Sequence, residues 1–248
     1  MKTKKTAAII QARMGSTRLP GKVMKDLNGK PVLWHVIERV KQAENIDQII
    51  IATTTAKRDK IIYDRSIEWG VKSYQGSEED VLARYYEAAN KYEIDRVVRI
   101  TSDCPLIDPY VIDEIVEYYN KNDYTLVTNA GSDLNNRTYP RGLDTEVFSF
   151  DVLEKAYNKA EKKYQREHVT PYIYENYNDI LYYKNNEDLS NYRITLDTKE
   201  DFELIKVLYD KLYQGKHDFY LKDIIEVFKK NPELININKK VEQKKLGE

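Results

Sequence analysis

One cysteine, three histidines, nine glycines and seven prolines among 248 residues exclude several kinds of protein at once. A single thiol, Cys104, cannot build an internal disulfide framework and suits a reducing cytoplasm. With three scattered histidines it forms no zinc-type cluster. No apolar run is long enough to span a bilayer. The basic start, Met1–Lys5, is followed by only four apolar residues, Ala7 to Ile10, before Gln11, too few for an export signal. Stretches rich in Pro, Gly or Ser that would mark a linker are missing, and so are internal repeats. The formal net charge is only −1, whereas a general nucleic-acid binder is more often basic throughout. The 41% hydrophobic content supports a core, and the 33% charged content supports a soluble surface.

The charge that is present is unevenly placed. Residues 1–30 carry eight basic side chains (Lys2, Lys4, Lys5, Arg13, Arg18, Lys22, Lys25 and Lys30) against one acid, Asp26. Within that stretch the apolar run Ala7–Ile10 breaks into Gln11-Ala12-Arg13-Met14-Gly15-Ser16-Thr17-Arg18-Leu19-Pro20-Gly21-Lys22. A loop of this composition offers bare backbone N–H groups and fixed positive charge together, which is what a polyphosphate needs. It is not a Walker A loop, because Gly15 and Gly21 enclose five residues and Val23 follows Lys22. No G-x-G-x-x-G pattern points to a dinucleotide. A solvated strand-to-helix loop is the alternative reading of the same residues.

Along the chain, period-2 or fully apolar runs alternate with helical spacing. Thr6–Gln11, Gln48–Thr53, Val71–Gln75, Arg96–Ile100 and Tyr124–Thr128 read as strands. Helices follow at 31–43 (Val32, Leu33, Val36, Ile37, Val40), after the second strand and ending near Trp69-Gly70, after Ser77 with Asp80 as a capping box, and after Asp108-Pro109. Beyond residue 130 the regularity fades. Thr145–Phe150, Ile180–Lys184 and Tyr192–Leu196 read as further strands. A helix over 151–160, a helix opened by the Thr198/Asp201 capping box and a last one over 221–229 complete the pattern. The fold class expected is α/β, a single domain with a mainly parallel sheet covered on both faces. It should span 1–230, with a frayed polar tail over 231–248. Ligands of such sheets lie at the carboxyl ends of the strands, which brings the Arg13–Lys22 loop and the Thr101–Asp103 segment to one crevice.

The run IIQARMGSTRLPGKV resembles the N-terminal signature of cytidylyltransferases that activate sugar acids, the CMP-Kdo and CMP-sialate synthetase superfamily, and in particular its SpsF-like spore-coat polysaccharide branch. GKPVLWHVIERV, IIIATT, GSEEDVLARY, SDCPLIDP and LDTKEDFE continue the resemblance in the family's order over about the first 200 residues. The resemblance implies a Rossmann-like, GT-A-like nucleotidyltransferase domain, with a nucleotide-binding half near 4–128 and an acceptor or dimerisation insertion near 130–195. It implies a CTP-dependent transfer of CMP to an anionic sugar acid or sugar phosphate, with pyrophosphate released, Mg2+ as cofactor, surface-glycan biosynthesis as the purpose, and a homodimer. The single cysteine, the near-neutral charge and the missing apolar span add the expectation of a cytoplasmic protein with no nucleic-acid or membrane partner. The resemblance makes Asp103 and Asp197 the metal-binding aspartates. On the sequence alone Asp103 could equally cap a turn and Asp197 open a helix, and their spacing of 94 residues does not show that they meet.

Graded by the same reasoning, Arg13 and Lys22 should neutralise the β- and γ-phosphates, joining Asp103 and Asp197 as the catalytic set. Gln11, Ala12, Gly15, Ser16, Thr17 and Thr101 belong to the expected nucleotide site. So does Arg18, which could instead pair with a structural acid. Gly76 and Ser77 match the family's base-recognition loop, and Ser77 is equally explained as an N-cap. Arg141, Asp144, Glu146, Glu167 and His168 match the acceptor region, where ordinary loop and strand polarity is the competing account. His35, beside Trp34, reads as packing, and Cys104 lacks a histidine that would make it a nucleophile. Two other functions fit less well. A GT-A glycosyltransferase would usually show Asp-x-Asp where Ser102-Asp103-Cys104-Pro105 stands, and a non-catalytic nucleotide binder would have no need of Arg13, Lys22 and both aspartates.

Overall fold

The computed structural model describes residues 4–130 and 136–243. Its seven-stranded sheet has the order β5-β4-β1-β6-β8-β7-β9. The strands are β1 (Thr6–Gln11), β4 (Gln48–Thr54), β5 (Lys72–Gly76), β6 (Arg96–Thr101), β7 (Leu126–Thr128), β8 (Glu146–Ser149) and β9 (Ile180–Tyr182). β1 pairs in parallel with β4 and β6, β4 with β5, and β7 with β9, while β8 runs antiparallel between β6 and β7. The sheet is therefore mixed, with a parallel half formed by the first four of these strands in sequence. A small hairpin, β2 (Asp26–Leu27) with β3 (Lys30–Pro31), turns through Asn28 and Gly29, whose φ values of 50° and 85° are the left-handed pair a two-residue type I′ turn demands.

β1 is an unbroken apolar run because both of its faces are buried. Ala8 and Ile10 join the cluster under α1 (Val32–Val40), α4 (Pro109–Lys121), α8 (Lys199–Leu212) and α9 (Leu221–Lys230). Ala7 and Ile9 face the other cluster, under α3 (Val81–Lys91), α5 (Phe150–Lys159) and α7 (Pro171–Asn176). α2 (Lys60–Glu68) and α6 (Lys163–His168) complete the helices used below. Two helix starts follow their expected chemistry. The Asp108 side chain accepts from the N–H groups of Tyr110 and Val111, with Pro109 in the first turn. Thr198 and Asp201 form the reciprocal capping box of α8. Among the described residues no helix is long and apolar enough to cross a membrane.

Three expectations need correction. Ser77 is not the cap of α3: Asp80 is, accepting from Ala83 N–H at 2.8 Å, while Ser77 Oγ closes the preceding turn by accepting from Asp80 N–H. Tyr192–Leu196 is extended but forms no strand. It makes one isolated bridge, Arg141 with Arg193, and Leu196 N–H donates to Asp103 O at 2.8 Å. The tail is not frayed over its described part: Pro232–Asn236 forms a 3-10 helix, Leu234 and Asn238 are buried, and Asn238 Nδ2 donates to Arg193 O and Asp201 Oδ1. Residues 131–135 of the region expected as an insertion, and 244–248 of the tail, lie outside the described residues. β8 and β9, from the region read as an insertion, are strands of the main sheet.

Candidate active site

The carboxyl ends of β1, β4, β5 and β6 share one edge of the sheet, so the segments that leave them meet there. The loop after β1 is held from below. Met14 N–H donates to Asp59 Oδ1 at 2.7 Å, and Gly21 and Ser16 N–H both donate to Met14 O. Asp59 itself is buried and also accepts from Thr54 Oγ1. Ser16 Oγ accepts from Leu19 N–H. This folding leaves the backbone N–H groups of Arg13, Gly15, Thr17 and Arg18 without an acceptor among the described residues. Arg13 is exposed, and its guanidinium has no hydrogen bond or ion pair among them. Free N–H donors beside a free cation at the end of a strand are the ingredients of an anion cradle.

Lys22 brings the two distant aspartates together. Its Nζ donates to Asp103 Oδ2 at 2.7 Å, to Asp197 Oδ1 at 2.8 Å and to Leu196 O at 2.8 Å, which uses all three ammonium protons. Burial alone would lower the Lys22 pKa, but the two carboxylates override it and hold it above its ordinary value. Asp197 answers in kind. Burial would raise its pKa, while Lys22, then Arg18 and Arg193, bring it below the usual carboxylate value. Arg18 Nη2 lies 2.9 Å and Arg193 Nη2 3.0 Å from Asp197 Oδ2. Thr101 Oγ1 donates to Asp103 Oδ1 at 2.6 Å. Lys22 in this state is therefore not the free phosphate ligand expected from its charge, because its protons are committed to the aspartates. Arg18 takes the structural pairing that its sequence context left open.

Two carboxylates that share one cation can hold a divalent ion in place of that cation. Magnesium asks for one or two carboxylates and fills its remaining positions with phosphate oxygens and water. The residues present fit that demand. Among the described residues no group of three or more His, Cys, Asp or Glu side chains could cage a metal unaided, so a bound phosphate would have to complete the set. Cys104 is buried beside Asp103, and burial pushes its thiol well above the ordinary range, in keeping with a thiol that is not a nucleophile.

The expected acceptor residues divide. Arg137 makes a two-pronged pair with Asp144 at 2.7 and 3.0 Å, and overcomes burial to lower the Asp144 pKa. Glu146 is 4% exposed on β8. It is held by Arg99 from β6 at 2.5 Å, by Thr170 Oγ1 and by Tyr174 OH at 2.6 Å. Glu146 is a structural anchor, a correction to its assignment as an open sugar-hydroxyl ligand: its low-dielectric burial demands partners that the sequence places tens of residues away, whereas Asp144 keeps 34% of its side chain exposed beside Arg137. Arg141, Glu167 and His168 remain available. The Arg141 guanidinium is half-buried with no hydrogen bond among the described residues. His168 precedes Val169, whose φ of 73° is a strained state for a β-branched residue. Burial lowers the His168 pKa, so the ring is neutral near pH 7. Gln11 ends β1 with Oε1 buried and unpartnered, Ala12 donates its N–H to Ala52 O, and Gly76 ends β5.

Sequence reasoning missed Arg193, which ties Asp197 to Asp201. Its spacing of four residues before Asp197 was the available signal. It also missed Arg84 and the ion pair of Arg58 with Glu78, which crosses beside Gly15.

The chain matches the model of the Cytidylyltransferase family over residues 7–241. It is similar to the spore coat polysaccharide biosynthesis protein SpsF of Bacillus subtilis, with 32% identity over 231 residues covering 91% of this chain and 94% of that protein. Part of the chain is similar to the 3-deoxy-manno-octulosonate cytidylyltransferase of Geobacter metallireducens, 35% identical over 112 residues, 45% of this chain and 43% of that one. A solved cytidylyltransferase from Leptospira borgpetersenii superposes with a TM-score of 0.86 at 38% identity, covering 94% and 97% of the two chains.

Proposed function

The chain belongs to the cytidylyltransferase family and is a nucleotidyltransferase; from that premise we propose that it transfers CMP from CTP to an anionic sugar acid or sugar phosphate, releasing pyrophosphate, for surface-glycan biosynthesis in the cytoplasm. The observation that carries this reading is the meeting of Asp103 and Asp197 on the Lys22 ammonium, next to a loop in which the Arg13 guanidinium and the N–H groups of Arg13, Gly15, Thr17 and Arg18 have no partner among the described residues. The glycan purpose rests on the likeness to SpsF, and the acceptor class on the likeness to the 3-deoxy-manno-octulosonate enzyme.

In this mechanism an acceptor oxygen attacks the α-phosphorus in line. The new P–O bond forms as the bond to the β-phosphate bridging oxygen breaks, and that oxygen leaves with pyrophosphate. No covalent enzyme intermediate is needed, and positioning and charge stabilisation supply most of the acceleration. Arg13 and the free N–H groups of Gly15 and Thr17 bind the phosphate chain. Arg18 and Arg193 fix the Asp197 carboxylate so that one oxygen stays aimed at the site. Asp103 and Asp197 would hold Mg2+, which when bound supplies Lewis-acid polarisation of the α-phosphate and a lower pKa at the acceptor oxygen. Lys22 would yield its place between the carboxylates and turn on its flexible stem toward the departing pyrophosphate. Arg141 offers the free guanidinium suited to the acceptor's carboxylate or phosphate, with His168 and Glu167 as neighbours. Family membership sets aside the glycosyltransferase and the non-catalytic readings.

The test is pyrophosphate release from each of the four nucleoside triphosphates against a set of sugar acids and sugar phosphates with Mg2+. CTP should be preferred. Asp103→Asn should lower kcat by more than about a hundredfold while leaving the circular-dichroism melt close to that of the parent. Full turnover in that variant would falsify the metal-ligand assignment.

A further inference from the structure

Arg84 stands out among the buried cations. It projects from the first turn of α3 with 2% of its surface exposed, and its Nε and Nη1 are buried without a hydrogen-bond partner. Arg39, Arg99 and Arg137 also leave one nitrogen unpaired, but each is otherwise anchored, to the carbonyls of Ile107 and Phe219, to Glu146 and to Asp144 respectively. The Arg84 guanidinium makes no hydrogen bond to any described residue. A folded chain rarely keeps a desolvated guanidinium unmatched unless something outside the chain completes it.

Its surroundings say what that partner is. A Cβ on Gly76 would lie 2.8 Å from Arg84 Cγ, so the arginine packs against the loop after β5, and glycine at 76 makes its room. The acids within reach are already engaged: Asp59 with Met14 N–H and Thr54 Oγ1, Glu78 with Arg58, Glu87 with Tyr74 OH. Burial is the main cause that lowers the Arg84 pKa; Arg13 adds to it, while Tyr85, Asp59 and Glu78 offset part of it. A neutral carbonyl would fill the open donors but leave a buried charge with no anion bonded to it. A phosphate group answers both.

We infer that Arg84 is a further nucleotide-binding residue, which with Arg13 grips the phosphate chain of the triphosphate from beneath the Gly76 loop; this rests on the nucleotidyl-transfer reading above. The test compares the parent with Arg84→Gln and Arg84→Lys, using inorganic pyrophosphate with Mg2+, CTP and cytidine as probes in calorimetry and thermal unfolding. Pyrophosphate and CTP should bind Arg84→Gln about ten- to a hundredfold more weakly, and Arg84→Lys to an intermediate degree, with cytidine unaffected. Because an unmatched buried charge is removed, the ligand-free Arg84→Gln protein should melt no lower than the parent. Unchanged pyrophosphate affinity, an equal loss for cytidine, or a lower ligand-free melting temperature would each overturn the assignment. A parent protein that bound neither CTP nor pyrophosphate would instead remove the nucleotidyl-transfer reading on which it stands.

Discussion

Replacing Lys22 with methionine deletes the charge between Asp103 and Asp197 while keeping most of the stem's volume. Nζ is 2.7 Å from one carboxylate oxygen and 2.8 Å from the other, so those oxygens are at most about 5.5 Å apart. Two negative charges at that distance repel by about 3 kcal/mol at an effective dielectric constant of about 20. Arg18 and Arg193 remain on Asp197 and absorb part of this, so the variant should lose about 1–3 kcal/mol at pH 7. The pH dependence gives the sharper signature. In the parent, Asp197 has a folded pKa below its ordinary value. It therefore adds stability that is present above pH ~4 and lost as pH falls through the lower folded value. In Lys22→Met one carboxylate of the pair is pushed upward instead. The folded variant then keeps a proton that its unfolded chain has released, and its deficit shrinks from pH 7 towards pH 5. Urea unfolding across that range, with and without Mg2+, is the assay. The cation should restore the variant more than it stabilises the parent, because it replaces the missing charge. A deficit that stays flat with pH and ignores Mg2+ would refute this reasoning.

Two further predictions concern the frame of the site. Gly142 has φ of 107°, and a Cβ there would meet Ile194 C and O and Thr195 N at 2.7 Å, so Gly142→Ala should cost about 2–4 kcal/mol in urea unfolding and weaken the Arg141–Arg193 bridge; a cost below about 0.5 kcal/mol would show that the two backbones can part freely. His35 Nε2 donates to Leu27 O at 2.6 Å, which leaves Nδ1 to accept from His217 Nε2 at 2.8 Å, an arrangement that requires the His35 ring to be neutral. Burial is the main cause that lowers the two pKa values to about 4 and about 3. The unfolded chain takes up protons near pH 6.5, so this contribution is whole above that pH and drains away as pH falls towards about 4. Melting temperatures between pH 7.5 and 4.5 should fall less steeply in His217→Phe than in the parent; equal slopes would mean the pair does not titrate as described.

What the sequence made legible was local. The unbroken run at β1, the helical spacing of Val32 to Val40, and the caps at Asp108 and Thr198 each carry their cause within a few residues. His35 as a packing residue was readable for the same reason, and it sits buried among Trp34, Tyr209, Tyr213 and His217. The Asn28-Gly29 hairpin was equally local but went unread. Illegible features depend on distant partners. Asp80 rather than Ser77 caps α3, and the Asp80 carboxylate is also gripped by Arg166 from α6. Glu146 and Asp144 look like free acids until Arg99 and Arg137 arrive. The apolar alternation of Tyr192, Ile194 and Leu196 mimics a strand, yet these residues run beside Arg141 and Asp103, where only single bridges form. Lys22 could be read as a cation near phosphate, but that two aspartates would claim it belongs to the tertiary structure.

The docked tail has a practical consequence for handling this protein. Glu242 O accepts from Arg18 and Gln243 Oε1 from Arg193, the two arginines that steady Asp197. β1, by contrast, begins at the far edge of the sheet, where Lys5 N–H is tied to Asp95. An affinity handle fused at the front of the chain would hang away from the chemistry. A substitution at Gln243 would instead act directly on Arg193, one of the arginines that keep the Asp197 carboxylate in aim.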